Sequence, residues 1–483
     1  MYNLLQNDLL KVFYIVTIVF MVILVIQQRG DPMKTIAWLL VVTFIPLLGI
    51  ILYFFFGKNY RKEKIFSRKE LADSEQIKML ARYQPDKRSY TTDWPNQAVA
   101  EKSHIMEMLY NSDKVLLTKR NRVRILVNGK VTFEHIIAEL ERAEKHIHLE
   151  YYIIEDDRIG SQVRRILIRK AREGLEVRVI YDDIGCWSLS DEYIQSLKDA
   201  GVRIFPFMPV RFPYFTNKVN YRNHRKIIVI DGKVGFVGGM NIADRYISGN
   251  EELGHWRDTH LKIEGEAVYS LQSIFLLDWY FVSKRNIHHQ DQYFPPVDVN
   301  EQHLMQIVAS GPDSDWASIM QTFFSAIATA KSYIYISTPY FLPNESILTA
   351  LRTAALSGVD VRLLLPEQSD SKLVSWSSFS FISELLDAGI KVYLYRKGFT
   401  HSKLMMVDDV FCSIGTANMD IRSFDQNFEI NALIYDQRMT IAMRNIFMND
   451  IKDLKCININ NWDERPRWVF FRESVARLFS PLL

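Results

Sequence analysis

His224-Arg225-Lys226-Ile227-Ile228-Val229-Ile230-Asp231 is the stretch that decides how this chain is read, because it returns as His401-Ser402-Lys403-Leu404-Met405-Met406-Val407-Asp408. Each copy runs on into a glycine- and asparagine-bearing segment, Gly238-Gly239-Met240-Asn241 in the first and Gly415-Thr416-Ala417-Asn418 in the second. The apolar centre of each motif has the length of a strand, and side chains two apart on a strand share a face. His224 with Lys226, and His401 with Lys403, are therefore expected to address one cleft from two copies of one unit. Two imidazoles delivered in that way can divide labour. One attacks a phosphorus atom while the other protonates the leaving oxygen.

Outward from the motif the duplication continues, from about Asn121 to the end of the sequence. The first copy opens with a helix-period stretch, Phe133 to Lys145, with Thr132 as its expected cap, and then the apolar run 147–154. The second opens with a helix from Met320 to Lys331 and then Tyr333-Ile334-Tyr335-Ile336-Ser337. Each copy adds a helix and a strand, 163–172 with 176–180 and 347–356 with 360–364. A further helix then leads to Ala200-Gly201-Val202-Arg203-Ile204 or Ala388-Gly389-Ile390-Lys391-Val392. Apolar strands alternating with helices indicate mixed sheets covered on both faces. The expected fold class is α/β, with two duplicated units packed as one bilobal catalytic domain.

A phosphodiester carries negative charge, and attack on phosphorus spreads more of it over the non-bridging oxygens. Lys226 and Lys403 would stabilise that charge. Asn241 and Asn418, with Gly239 and Thr416 beside them, are the candidate supports for the phosphate. Imidazole has an unperturbed pKa near ~6.5, so one ring can be neutral while the other is protonated. Such a site calls for no metal and no cofactor. Asp231 and Asp408 complete the motif and stand among the candidate catalytic residues. Each lies an odd number of positions from its histidine, however, and Asp231-Gly232 has the look of a hairpin turn, which favours a structural job for both.

The 59 basic and 56 acidic residues leave a net charge of +3, too even for bulk nucleic-acid binding. Cys186, Cys412 and Cys456 form no CxxC pair and read as small core residues in a reducing compartment. The N-terminus reads as a membrane hairpin. Residues 9–26 are apolar apart from Lys11, and 35–56 carry no charge. About 20 residues span a bilayer core. The polar link 27–34, with Gly30 and Pro32, suits a tight turn, and no small-x-small site follows the first stretch as a signal peptide would require. Lys58, Arg61, Lys62 and Lys64 follow the second span, which places both termini and the large C-terminal portion in the cytoplasm. The expected domains are the hairpin over 1–57, a juxtamembrane connecting segment over 58–120, and duplicated units over 121–295 and 296–483.

The pattern resembles the duplicated HxKxxxxD signature of the phospholipase D superfamily. Two membrane segments placed directly before it narrow the resemblance to the bacterial cardiolipin synthases, as do Gly57-Lys58-Asn59, Asn241-Ile242-Ala243-Asp244, Asp420-Ile421-Arg422-Ser423-Phe424 and the ending Ser480-Pro481-Leu482-Leu483. What the resemblance implies is a two-step exchange between two phosphatidylglycerol molecules. A histidine displaces glycerol to give a phosphatidyl-histidine enzyme, and the second lipid's hydroxyl then forms cardiolipin. By superfamily precedent His224 is the nucleophile and His401 the general acid and then base, although the near-symmetry of the copies lets the roles swap. The resemblance also implies carboxylates that orient the rings. Glu429 is expected to hold His401, and Asp258 to hold His224 across a short insertion.

The competing readings are a hydrolytic phospholipase D, a phosphatidyltransferase using serine or ethanolamine, a nuclease of the same superfamily and a catalytically inactive membrane scaffold. A nuclease has no evident use for two membrane helices, and a scaffold has no need of both His/Lys pairs. The expected partners are phosphatidylglycerol and membrane lipids, not nucleic acid. Two segments stay open between lipid contact and packing on the protein. These are the insertion Phe212-Pro213-Tyr214-Phe215, with Arg211 and Lys218, and the C-terminal stretch from Arg465, for which docking on the second copy is favoured.

Overall fold

The computed structural model describes residues 94–210, 221–285 and 290–480, together with 32–45 and the isolated positions 16, 19, 22, 23 and 49. The chain divides into two compact units, Met1–Arg68 with Val210–Val219, and Lys69–Pro209 with Asn220–Leu483. In the first unit the described element is the helix Pro32–Phe44. It begins inside the expected link 27–34, because the fixed φ of proline suits the first position of a helix. Among the described residues no helix is long and apolar enough to cross a membrane. Most of the expected span 9–26, the second span beyond 45 apart from Gly49, the basic run after Gly57 and the insertion 211–218 lie outside the described residues.

The second unit is built from the strands β1 (Asn121–Val127), β2 (His146–Tyr151), β3 (Glu176–Asp182), β4 (Arg203–Phe207), β5 (Ile227–Ile230), β6 (Val234–Gly238), β7 (His255–Arg257), β8 (Thr259–Gly265) and β9 (Met305–Ser310). It continues with β10 (Tyr333–Ser337), β11 (Phe341–Leu342), β12 (Asp360–Pro366), β13 (Lys391–Tyr395), β14 (Gly398–Thr400), β15 (Leu404–Val407), β16 (Phe411–Gly415), β17 (Met419–Asp420) and β18 (Glu429–Ile434). They form two sheets of seven strands, ordered β1-β8-β6-β5-β2-β3-β4 and β9-β18-β16-β15-β10-β12-β13. The orders match strand for strand, so the duplication read in the sequence is a duplication of topology.

Most helices fall close to where the apolar period puts them. Residues 158–172 form one, capped by Asp157, whose carboxylate accepts from Gly160 N at 2.9 Å. Another covers Glu345–Leu356 and is capped by Asn344. The turns at Gly201 and Gly389 have φ of 89° and 84°, a left-handed conformation that glycine adopts without strain. The helix expected from Thr132 starts earlier, at Asn128, and ends at Arg142. Thr132 is not its cap. Its hydroxyl donates to the Asn128 carbonyl one turn back at 2.9 Å, while Asn128 N is held by the Asp258 carbonyl at 2.9 Å.

The inner faces of the two sheets share a core with Ile227, Val229 and Leu261 from the first half and Leu404, Met406 and Ile430 from the second. Each sheet's other face carries its own helix-covered core. The helix Ser103–Asp113 joins the second half's core through Ile105, Met106 and Leu109, which pack with Val308, Ile319 and Phe323. Cys186 and Cys412 are buried, as expected of small core residues, but Cys456 is exposed.

Candidate active site

The motif's chemistry sits just before a strand rather than on one. β5 begins at Ile227 and β15 at Leu404, so His224, Lys226, His401 and Lys403 occupy the irregular residues that lead into them. That corrects the expectation of a shared strand face. The irregular residues are held instead by pairing between the halves. β14 lies parallel to β7, with Phe399 opposite Trp256 and Thr400 opposite Arg257, and Asn223 forms a parallel bridge with Phe428. His401 N donates to the Arg257 carbonyl at 2.8 Å, and His224 N donates to the Phe428 carbonyl at 2.9 Å.

In each case the residue after the accepting carbonyl is a carboxylate, Asp258 or Glu429. The orienting pairs are therefore exchanged relative to the sequence expectation. His224 Nδ1 lies 2.9 and 3.0 Å from the two oxygens of Glu429, and His401 Nδ1 lies 2.7 Å from Asp258 Oδ2. The register shows that the carboxylates are equivalent positions. Gly238 faces His260 and Gly415 faces Asn431, and each carboxylate precedes its register residue by two. Each half thus holds the other's histidine. With Nδ1–H committed to a carboxylate, Nε2 carries the reactive lone pair or proton.

Both histidines line one cavity of about 360 Å³, between Tyr152 and Arg222 on the first half and Asn418 and Arg422 on the second. Lys226 Nζ donates to the His224 carbonyl at 2.7 Å, and Lys403 Nζ donates to the His401 carbonyl at 2.6 Å. Burial lowers the amine of Lys226 to about 7 against the pull of Glu429, and that of Lys403 to about 8 against Asp258. Burial likewise lowers His224 to about 4, and with Lys403 and Lys226 holds His401 well below its ordinary value. The environment thus favours the neutral form of both rings. Burial lifts Asp258 to about 6, whereas His224 and Lys226 outweigh burial at Glu429 and hold it below the usual carboxylate value.

The other expected residues divide. Thr416 Oγ1 donates to Glu429 Oε2, and Asn427 Nδ2 donates to Glu429 Oε1 at 3.2 Å, so both fix the carboxylate. Gly239, at the position equivalent to Thr416, makes room: a Cβ there would lie 2.3 Å from Asp258 Oδ1. Asn241 and Asn418 line the cavity, but Asn241 Nδ2 already donates to the Tyr246 hydroxyl at 2.7 Å, while Asn418 Oδ1 is buried without a hydrogen-bond partner. An amide oxygen only accepts, so it is the Nδ2 of Asn418, with no acceptor among the described residues, that is the freer of the two to donate to a phosphate.

Asp231 and Asp408 do not reach the cavity. Asp231 accepts from the backbone of Glu144, Lys145 and His146 at 2.7–2.9 Å, and Asp408 accepts from Lys331, Ser332 and Tyr333 at 2.7–3.1 Å. Both have left-handed φ of 55° in the turns after β5 and β15. Both therefore sit in turns, apart from the residues that line the cavity.

Residues without a periodic signature were missed. Arg222, Arg245 and Arg422 add positive charge to the cavity wall, with Arg222 paired to Asp182 at 3.3 Å. Two further guanidiniums grip the backbone of the orienting carboxylates. Arg225 Nε donates to the Glu429 carbonyl at 3.2 Å, and Arg257 Nη1 donates to the Asp258 carbonyl at 2.6 Å. Arg225 is anchored on Asp278 and Arg257 on Asp450, one from each half's long C-terminal helix. Only their adjacency to the motif residues could have flagged them.

The family model described as "Cardiolipin synthase, PLD-like domain" matches residues 136–279 and 323–451, one block in each half. The cardiolipin synthase of Geobacillus kaustophilus is 44% identical over 99% of this chain and 95% of its own. The chain belongs to the cardiolipin synthase family. The major cardiolipin synthase of Bacillus subtilis is 39% identical, covering 99% of both chains. The N-terminal model "Phospholipase D-nuclease N-terminal" matches residues 12–58, so the family's architecture extends through the expected hairpin. Among solved structures, the phosphatidylserine synthase of Haemophilus influenzae matches with a TM-score of 0.60 at 17% identity. It covers 79% of this chain and 100% of its own, and that likeness speaks for the fold. Each matched block contains one of the cavity's two histidines, His224 in the first and His401 in the second.

Proposed function

We propose that this chain is a cardiolipin synthase, moving the phosphatidyl group of one phosphatidylglycerol onto a glycerol hydroxyl of another. The observation that carries the reading is the pair of imidazoles in one cavity, each held at Nδ1 by the other half's carboxylate. An anionic phosphodiester entering between them draws protons onto Lys226, Lys403 and His401, because each is held down by burial, Lys226 and His401 also by like charge, and the phosphate offsets both. His224 Nε2 attacks phosphorus, the bond to the glycerol headgroup breaks, and its oxygen takes the proton of His401 Nε2. A hydroxyl of the second lipid then gives its proton to His401 as its oxygen attacks phosphorus and the phosphorus–nitrogen bond breaks. Cardiolipin and glycerol leave, and both rings return to their starting state.

The enzyme is membrane-bound in this reading, through spans at about 9–26 and 35–56, with its catalytic portion cytoplasmic. The outward apolar side chains Ile36, Leu40 and Phe44 along Pro32–Phe44 support a lipid-facing helix. Asp258, Glu429, Thr416 and Gly239 set the geometry, and Asn418 binds the phosphate. The test is purified protein in vesicles with phosphatidylglycerol alone. Equal amounts of glycerol and cardiolipin are expected. Phosphatidic acid as the sole lipid product would make it a hydrolase, and turnover only with added serine or ethanolamine would make it a different transferase.

A further inference from the structure

The C-terminal helix Arg467–Arg477 is turned inside out. Its buried face presents Glu473 and Ala476 to the body, with Glu473 taking both ends of the Arg465 guanidinium at 2.9 and 3.1 Å. Just past its end Ser480 meets Ser377 at 2.7 Å, which docks the segment on the helix Lys372–Phe379. The outer face carries Trp468, Phe471, Val475 and Leu478, a stripe at helical spacing, and exposes 62% of Trp468, 72% of Phe471 and 77% of Leu478. A helix whose sole business was packing would turn these side chains inward.

Charge tells what covers the stripe. The helix's single acid is the buried Glu473, paired with Arg465; Arg467 is exposed, whereas Arg477 pairs with Glu384 at 2.8 Å. Arg472 lies over the rings of Trp376 and Trp468, at 4.4 and 4.9 Å. Symmetric pairing with a second copy would set Arg467 and Arg472 against their own counterparts, while the acid beside Arg477, Glu384, is already paired with it. Aromatics flanked by arginines match the boundary of a bilayer, where rings enter the acyl region and guanidiniums meet phosphates. The patch also adjoins the site. The supporting helix exposes Leu373, and its first turn and cap bring Val374 and Ser371 to the wall of the catalytic cavity.

We infer that this face is a bilayer contact for anionic lipid, which seats the mouth of the cavity on the surface that supplies its substrate. It is separate from the N-terminal spans, and it rests on the lipid substrate of the proposed function. The test uses the full chain with Cys456→Ser, the exposed thiol removed, and an environment-sensitive fluorophore on Phe471→Cys. Reconstituted in phosphatidylcholine vesicles with a minority of phosphatidylglycerol, this label is quenched by acyl-chain nitroxide lipids, whereas one on Gln195→Cys is not. In parallel, Trp468→Asp/Phe471→Asp slows cardiolipin formation on vesicles by about tenfold, the scale of two lost interfacial rings. The same variant keeps its rate on short-chain phosphatidylglycerol dispersed as monomers. An unquenched label at 471, equal loss on both substrates, or a variant whose mass in detergent falls to half that of the parent overturns the inference. Parent protein that makes no cardiolipin refutes the proposed function instead, and the quenching result still reads the contact.

Discussion

The two histidines stand in equivalent places, yet the walls behind them differ in kind. Behind His224 the support is an ion pair and a buried acid: Arg225 is paired with Asp278, and Glu150, which burial and Asp278 push well above the usual carboxylate range, accepts from Asn223 at 2.6 Å, all in the interior. The positions equivalent to Glu150, Asn223 and Arg225 are Ser337, Thr400 and Ser402, as the strand registers show. There the hydroxyls of Ser337 and Thr400 lie 3.4 Å apart, and the cation is Arg257, whose Nη1 reaches Ser402 Oγ at 3.4 Å and whose acid, Asp450, sits nearer the surface. The orienting carboxylates follow suit, Glu429 held as an anion and Asp258 lifted to about 6. A permanent anion beside His224 suits a ring that must become and stay positively charged as a phosphatidyl adduct. A carboxylate nearer its titration point suits a ring that passes a proton back and forth.

The sharpest way to break this comparison is to remove the need for a proton. With phosphatidylglycerol, alanine at either histidine should cost about 10⁴-fold or more in turnover. With a phosphatidyl p-nitrophenyl ester the leaving group departs unprotonated. His401→Ala should then release one equivalent of nitrophenol in a burst, and His224→Ala should release none. The reverse pattern would assign the nucleophile to the second half.

The carboxylates come next. Glu429→Gln should lower turnover by about 10³-fold, because the amide favours the wrong tautomer of His224. It should also abolish the burst. Asp258→Asn should spare the burst and act on proton transfer, at about 10²-fold. The pH dependence of kcat/KM follows from the same groups. As pH falls below about 6, Asp258 gains its proton and no longer holds His401, so the acid limb belongs to it. As pH rises through about 7 and then about 8, Lys226 and Lys403 lose their charges, and the rate falls again. Asp258→Asn should remove the acid limb and leave the alkaline one. An acid limb that survives in this variant belongs to a group other than Asp258.

The charged support is tested through stability. Arg225→Met leaves Asp278 fully buried without its cation, and the loss of one partner of such a pair costs about 3–5 kcal/mol. Arg257→Met should cost about 1–2 kcal/mol, since the Asp450 side chain keeps 13% of its surface in solvent and can hydrate. Thermal unfolding in detergent measures both. Equal losses would mean that the charge asymmetry between the two walls has no energetic content.

Much of this was legible in the sequence, and what was not shares one cause. Strand runs and helix periods are local, so the doubled α/β topology could be read from them. The HxK pairs could be named because the motif recurs, and Asp258 and Glu429 because the family resemblance implies a carboxylate after each motif. Which carboxylate serves which ring depends on three-residue segments, 255–257 against 398–400, that pair across the halves with no periodic pattern of their own. Arg222 and Arg245 reach the cavity through tertiary placement alone. His146 and His148 show the opposite hazard. They are histidines beside the motif in space, but burial lowers them to about 3 and 4, and they fill the place that Tyr333 and Tyr335 fill in the second half.

The turns after β5 and β15 give the mildest test of the comparison. Asp231-Gly232 announced itself as a turn, and Asp408-Asp409 did not, yet all four residues have φ between 54° and 67°. Aspartate tolerates that conformation because its short side chain hydrogen-bonds locally. Asp409 does so through Tyr333 at 2.8 Å and Arg444 at 2.6 Å. Gly232 has no such freedom, because a Cβ there would lie 2.2 Å from the Tyr293 carbonyl. The glycine is therefore required by the chain packed over it, and only secondarily by the turn. Gly232→Ala should cost about 1–3 kcal/mol, while Asp409→Gly, which gives up a half-exposed ion pair but relieves φ, should cost under about 1 kcal/mol. If Gly232→Ala proves as mild as Asp409→Gly, backbone conformation alone governs both turns and the contact with Tyr293 imposes nothing.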